Sequence, residues 1–180
     1  KQTTVQAIIA AKFNYLRFGI TGPMIKASSS DAGSFVRSAA YELKMGYNDL
    51  KQEISRQLSW DGTGDIALVN TAAVASNSLV IKGRTTNEPA LKYIDVGSTF
   101  DVCSSTSTTV LVSGVKVNSI SSGTASSTTA TLVLDTPVTL AVGDTLVRSG
   151  AREQEIQGLF YALDGGTGTV YNVDRSTSLA

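Results

Sequence analysis

Apolar and polar residues change their rhythm twice along this chain. Residues 5–27 (VQAIIAAKFNYLRFGITGPMIKA) mix β-branched and aromatic side chains and are interrupted by Gly19 and Gly22-Pro23, a pattern that predicts strand, turn, strand. Ser28-Ser29-Ser30 and Asp31 follow, supplying an N-cap and an acid at the positive end of a helix. Phe35, Ala39, Leu43, Tyr47, Leu50, Ile54 and Leu58 then recur at steps of four or three, which predicts a helix over 31–58 with a single apolar stripe. At ~1.5 Å per residue it would span on the order of 40 Å. Gly46 in its middle costs roughly 1 kcal/mol against alanine and marks a bend or a close contact. Trp60-Asp61-Gly62-Thr63-Gly64-Asp65 ends the helix, with Gly62 and Gly64 expected to supply positive φ there.

From residue 66 the period becomes two. Strands are predicted at Ile66–Asn70, Ser78–Lys82, Leu91–Asp95, Thr99–Cys103, Thr109–Val112, Val115–Ile120, Thr129–Leu134 and Thr145–Arg148, short and separated by Gly/Ser/Thr/Asn turns as in a small barrel or sandwich. The Ser/Thr-rich stretches 104–109 and 121–131 read as solvent-facing hairpins or as linkers. Ile156–Ala162 and Thr169–Val173 read as strands around the glycine-rich loop 164–168. The fold class expected from these elements is α+β. A long helix packs on an antiparallel sheet built from the N-terminal strands and the strands after residue 155. Phe35, Leu43, Leu50 and Ile54 form its buried face. Segments 1–76 and 151–180 make the core, and 77–150 is an inserted small β-barrel or β-sandwich.

Composition narrows the chemistry. The 180 residues are 42% hydrophobic and 17% charged, enough for one sizeable core with a smaller appended domain. Fifteen basic and fifteen acidic side chains cancel, which argues against a dedicated nucleic-acid binder and leaves at most weak, non-specific contact with DNA. The cancellation conceals a polarity. Residues 1–60 carry eight Lys or Arg against four Asp or Glu, and residues 61–180 carry seven against eleven. Unlike surfaces of two copies could therefore attract, although chance variation between segments explains the difference equally well. There is no histidine and one cysteine, Cys103, which removes His-based acid–base chemistry, Ser-His-Asp triads, His/Cys zinc sites and internal disulfides. Cys103 lies in an apolar, strand-like run and reads as a structural thiol.

The clusters Asp61-Gly-Thr-Gly and Gly165-Gly-Thr-Gly lack the Gly-Lys-Ser/Thr of a phosphate loop and read as turns. Asp61 with Asp65 falls short of a calcium loop. Glu153 and Glu155, two apart, read as a solvated strand face rather than a carboxylate pair for glycoside hydrolysis. No catalytic residue, cofactor or metal is predicted, and the chain is not expected to be an enzyme. The apolar run Ala7–Ala11 is too short for a membrane span and lacks signal-peptide flanks. The start at Lys1 and the stop at Ala180 read as a fragment or a processed product.

The order of elements carries a resemblance. Phe18-Gly-Ile-Thr-Gly-Pro-Met-Ile-Lys-Ala-Ser leads through Ser-Ser-Asp-Ala-Gly-Ser-Phe-Val-Arg into the amphipathic helix, which closes on Arg56-Gln-Leu-Ser-Trp-Asp-Gly-Thr-Gly-Asp-Ile-Ala. This resembles the peripheral domain of tailed-bacteriophage major capsid proteins of the Hong Kong 97 type, where a long spine helix precedes a Gly-Asp-Gly-Thr-Gly-like loop. Gly158-Leu-Phe-Tyr-Ala-Leu-Asp and Val170-Tyr-Asn-Val-Asp-Arg-Ser-Thr resemble the stretch leading such chains into the axial domain. The likeness covers 12–70 and 156–178. Segment 77–150 departs from it, being an insertion of a kind only some members carry. The axial domain, and the extended loop that would precede Lys1, are missing.

The resemblance implies a subunit that assembles with copies of itself, as hexamers and pentamers, into an icosahedral-type shell in the host cytoplasm. Portal, scaffold or decoration proteins are further partners, and no membrane is involved. The stripe residues, Trp60, Gly62, Gly64 and Arg175 are the assembly candidates. The competing expectation is a β-rich binding or adhesin-like module, which the Ser/Thr-rich strands suggest and which leaves the helix idle.

Overall fold

The computed structural model describes residues 6, 8, 9, 11–15, 19, 22, 26, 32–163, 168–171, 173 and 174, with helix side chains from Ala39 onward. The chain divides into two compact units, one made of Lys1–Asp61 with Ile156–Ala180 and the other of Gly62–Glu155.

The second unit is a closed barrel of six strands: β1 (Asp65–Val69), β2 (Ala73–Lys82), β3 (Thr99–Cys103), β4 (Val110–Ser122), β5 (Thr129–Leu140) and β6 (Thr145–Arg148). Around the ring the order is β1-β2-β5-β4-β3-β6, and β6 pairs back onto β1. Every pairing is antiparallel. Odd strands therefore run one way and even strands the other. The connections β1–β2, β3–β4 and β5–β6 gather at one end. At the other end the chain comes in and leaves, with Asp65 opposite Val147.

Alternation drives the closure. In β5 the buried side chains are Ala130, Leu132, Leu134, Val138 and Leu140, with more exposed residues between them; in β4 they are Val115 and Val117. With Leu79, Ile81, Phe100, Val102 and Leu146 they fill the interior, each large side chain contributing about 1.5–3 kcal/mol relative to exposure. Leu91–Asp95 is not the expected strand. It forms turns within the β2–β3 connection, which sends Ala90 and Ile94 into the core. An ion pair of Arg84 with Glu88 at 2.6 Å, a second from Lys92 at 3.2 Å, and Arg84 lying 4.8 Å over the Tyr93 ring hold that connection. Burial works to raise the Glu88 carboxyl, but hydrogen bonds and charge from Arg84 and Lys92 outweigh it and hold the group below the usual carboxylate range.

The other unit corrects the expected fold class. A 27-residue helix, α1 (Ala32–Leu58), is present, but among the described residues no strand packs along it. The sheet that was to lie beneath it is not formed among the described residues. Residues 6, 8, 9 and 11–15 carry no strand, and Gly22 and Lys26 are helical; the rest of 5–27 lies outside the described residues. Ile156–Ala162 is not a strand either, since Leu159–Leu163 forms a short helix, α2. The predicted strand Thr169–Val173 is only a two-residue hairpin, β7 (Thr169–Val170) with β8 (Val173–Asp174). The chain is thus mainly a closed antiparallel barrel, not a spine helix packed on a sheet with a barrel appended. The barrel begins further upstream than the expected residue 77: the strand expected at Ile66–Asn70 is present as Asp65–Val69 and, assigned by the domain bounds to the flanking core, is the strand that closes the ring.

Candidate assembly surface

The stripe of α1 was expected to be buried and is not. Leu43 is 51% exposed and Tyr47 and Leu58 are similarly open, while Leu50 and Ile54 are half-buried. The side chain of Phe35 and the whole of Arg175 lie outside the described residues. Tyr41 and Met45 add exposed apolar surface on the opposite side of the helix, so in its central turns α1 presents apolar groups on two faces. Scattered exposed apolar residues are ordinary; a run of them along one helix is the signature of a surface that meets another.

The last turn of α1 is different in character. Arg56 and Gln57 are buried. Arg56 pairs with Glu53 at 2.6 Å. Gln57 exchanges amide hydrogen bonds with Asn14, its Nε2 donating to Asn14 Oδ1 at 3.0 Å and its Oε1 accepting from Asn14 Nδ2 at 3.2 Å. Gln57 Nε2 also donates to Glu53 Oε1, and Gln57 Oε1 accepts from the Ile156 amide. The returning chain closes over this end. The Gly158 amide donates to the Trp60 carbonyl at 2.9 Å, and a Cβ at Gly158 would overlap the carbonyl oxygens of Gln57 and Leu58. The Trp60 ring stacks on Phe160 with centroids 4.9 Å apart and planes 13° from parallel. Trp60 is thus a packing residue of the helix terminus. The Asn14–Gln57 pair escaped the sequence reading, because a polar pair 43 residues apart leaves no periodic trace.

Gly62 and Gly64 open the barrel, at φ 88° and 85°. A Cβ at Gly64 would stand 2.6 Å from the Ala151 carbonyl oxygen, so the departing chain can lie against the incoming one only if residue 64 is glycine. Beside them Arg152 Nη1 donates to Asp65 Oδ1 at 2.5 Å, which commits Asp65 to an ion pair rather than to a cation. Glu153 and Glu155 do not form a solvated strand face. They lie in turns, and Glu155 is buried. The loop 164–167 lies outside the described residues.

On the barrel wall a groove of about 300 Å³ is lined by Leu68, Asn70, Lys82, Arg84 and neighbouring threonines, but its guanidinium is taken up by Glu88. Burial pushes the Cys103 thiol up, away from the reactive thiolate. Among the described residues no group of three or more His, Cys, Asp or Glu side chains gathers as a metal site, and no helix is long and apolar enough to cross a membrane.

Comparison with known proteins returns no matching family model, no matching curated protein and no matching solved structure. The functional reading therefore rests on these surfaces and on the sequence pattern.

Proposed function

We propose that the chain is a structural subunit of a tailed-phage-type capsid, which assembles with copies of itself and carries the barrel as an inserted module. The observation that carries this reading is the division of the chain. Residues 1–61 and 156–180, far apart in sequence, gather into one compact unit, while 62–155 closes into another. Most of the two stretches whose order resembles capsid chains, 12–70 and 156–178, falls in the first unit, and the barrel occupies the interval between them.

The exposed apolar groups of α1 suit a protein whose helix is covered by neighbours in an assembly. A saccharide-binding or adhesin-like role has less support, since the large apolar side chains exposed on the barrel are Val74, Val96, Val110, Leu111 and Val142, with no aromatic platform among them.

Sedimentation of the whole gene product, expressed alone or with its neighbouring genes, tests the proposal. Large, uniform particles are expected. A product that stays monomeric or dimeric under all conditions would refute the assembly role.

A further inference from the structure

Among the described residues, every buried apolar side chain belongs to the barrel unit; they run from Ile66 to Val147. The ring is also fastened where the chain enters and leaves it. The Glu153 amide donates to the Thr63 carbonyl at 3.0 Å, Gly64 lies against the Ala151 carbonyl, Arg152 pairs with Asp65, and Asp65 faces Val147 across the β1–β6 ladder. All of these partners fall within Gly62–Glu155, so the clasp needs no residue of the flanking unit.

The flanking unit is built the other way. Its two stretches meet through the Gly158 amide on the Trp60 carbonyl, the Ile156 amide on Gln57 Oε1 and the Trp60–Phe160 stack. Gln57 and Ile156 stand 99 residues apart in sequence. Bringing such distant points together costs chain entropy that grows with the logarithm of the interval. A folded barrel removes most of that cost, because Thr63 and Glu153 are already held together and only the short pieces 57–63 and 153–156 remain to be ordered. We infer that the barrel folds without the flanking unit and is the clasp on which the flanking unit's fold depends. The barrel stays closed where the flanking unit has come apart, and the flanking unit does not hold together once the barrel opens. The inference is independent of the shell reading, because it applies whatever the whole gene product assembles into.

Two native side chains report on the two units separately. Trp60, the only tryptophan, stacks on Phe160 in the flanking unit, so its fluorescence reads that unit. Cys103, the only cysteine, is 0% exposed in β3, so its reaction with a thiol reagent reads the opening of the barrel. Urea titration of the full chain with both readouts tests the inference. The Trp60 transition is expected first, at least about 0.5 M below the urea at which Cys103 becomes labelled. Gly158→Ala, whose Cβ would overlap the carbonyl oxygens of Gln57 and Leu58, should move the Trp60 transition to lower urea or abolish it. The Cys103 midpoint should stay within about 0.2 M of wild type in that variant. Leu132→Asp places a carboxylate in the barrel core and should open the barrel. In that variant Trp60 should already give the unfolded signal at the urea concentration, from zero upward, where Cys103 is first labelled. Coincident or reversed transitions in wild type, a Cys103 midpoint that follows the Gly158→Ala change, or native Trp60 fluorescence in Leu132→Asp once Cys103 is labelled would each overturn the inference.

Discussion

Arg152 reaches back from the segment by which the chain leaves the barrel to the Asp65 carboxylate in its first strand, 2.5 Å away and 87 residues earlier. The two residues sit where β1 and β6 close the ring, with Asp65 opposite Val147. The pair is partly open to solvent, so its strength is that of a part-screened ion pair. Arg152→Leu should lower barrel stability by about 1 kcal/mol, less at high salt. Chemical denaturation at two ionic strengths checks this: equal losses at both would mean that packing, not charge, is what Arg152 contributes.

Gly64, like Gly62, sits at positive φ and should tolerate substitution poorly. Both sit at positive φ, which costs alanine about 1 kcal/mol, and at Gly64 a Cβ would also stand 2.6 Å from the backbone carbonyl oxygen of Ala151. Gly64→Ala should therefore cost roughly 2–4 kcal/mol. Thermal melts of Gly64→Ala check this, and a loss of about 1 kcal/mol or less would remove the close-approach argument.

The buried Arg84–Glu88 pair predicts a pH dependence. Glu88 is held below its ordinary value in the folded chain, so the folded state favours the ionised carboxylate. That stability is fully present above the unfolded-state pKa near 4.5 and is lost as pH falls through the lower folded value. Glu88→Gln should flatten this part of the acid limb. Arg84→Met leaves the buried carboxylate with only the residue-84 amide and the half-exposed Lys92 and should cost about 3–5 kcal/mol at neutral pH. Urea titrations from pH 7 to 3 read both effects. An unchanged acid limb in Glu88→Gln would show that other groups set it.

On α1, Leu43→Asp should leave the melting temperature of the isolated chain nearly unchanged, because Leu43 is half open to solvent. Leu50→Asp, at a half-buried position, should cost about 1–2 kcal/mol, less than a fully buried stripe would imply. If assembly uses this face, Leu43→Asp reduces particle yield while the melt stays put. A large drop in melting temperature would instead show that the stripe is covered within the chain.

The strands at Thr99–Cys103 and Thr145–Arg148 could be read from sequence to the residue, because each is a short β-rich run bounded by polar turns. β5 was expected to end at Leu134. The strand instead continues to Leu140, and Pro137 falls between Val133 and Val138, where the pairing with β2 shifts register and a missing amide is tolerated. Leu91–Asp95 misled in the other direction, since Ile94 points into the core from a turn. The amphipathic pattern of α1 was legible, but a stripe says which side is apolar and not what covers it. A barrel was one of the two forms the strand pattern allowed, but its closure through β1 and β6 and the Gln57–Asn14 pair were invisible, because both depend on residues far apart in sequence that only the tertiary fold brings together.

Negative-stain electron microscopy of the purified whole gene product tests the proposed role most directly. The account predicts closed shells built from hexameric and pentameric clusters, with shell yield falling in Leu43→Asp. Discrete small oligomers, fibres or amorphous aggregates in place of shells, from protein whose melt shows it to be folded, would contradict it.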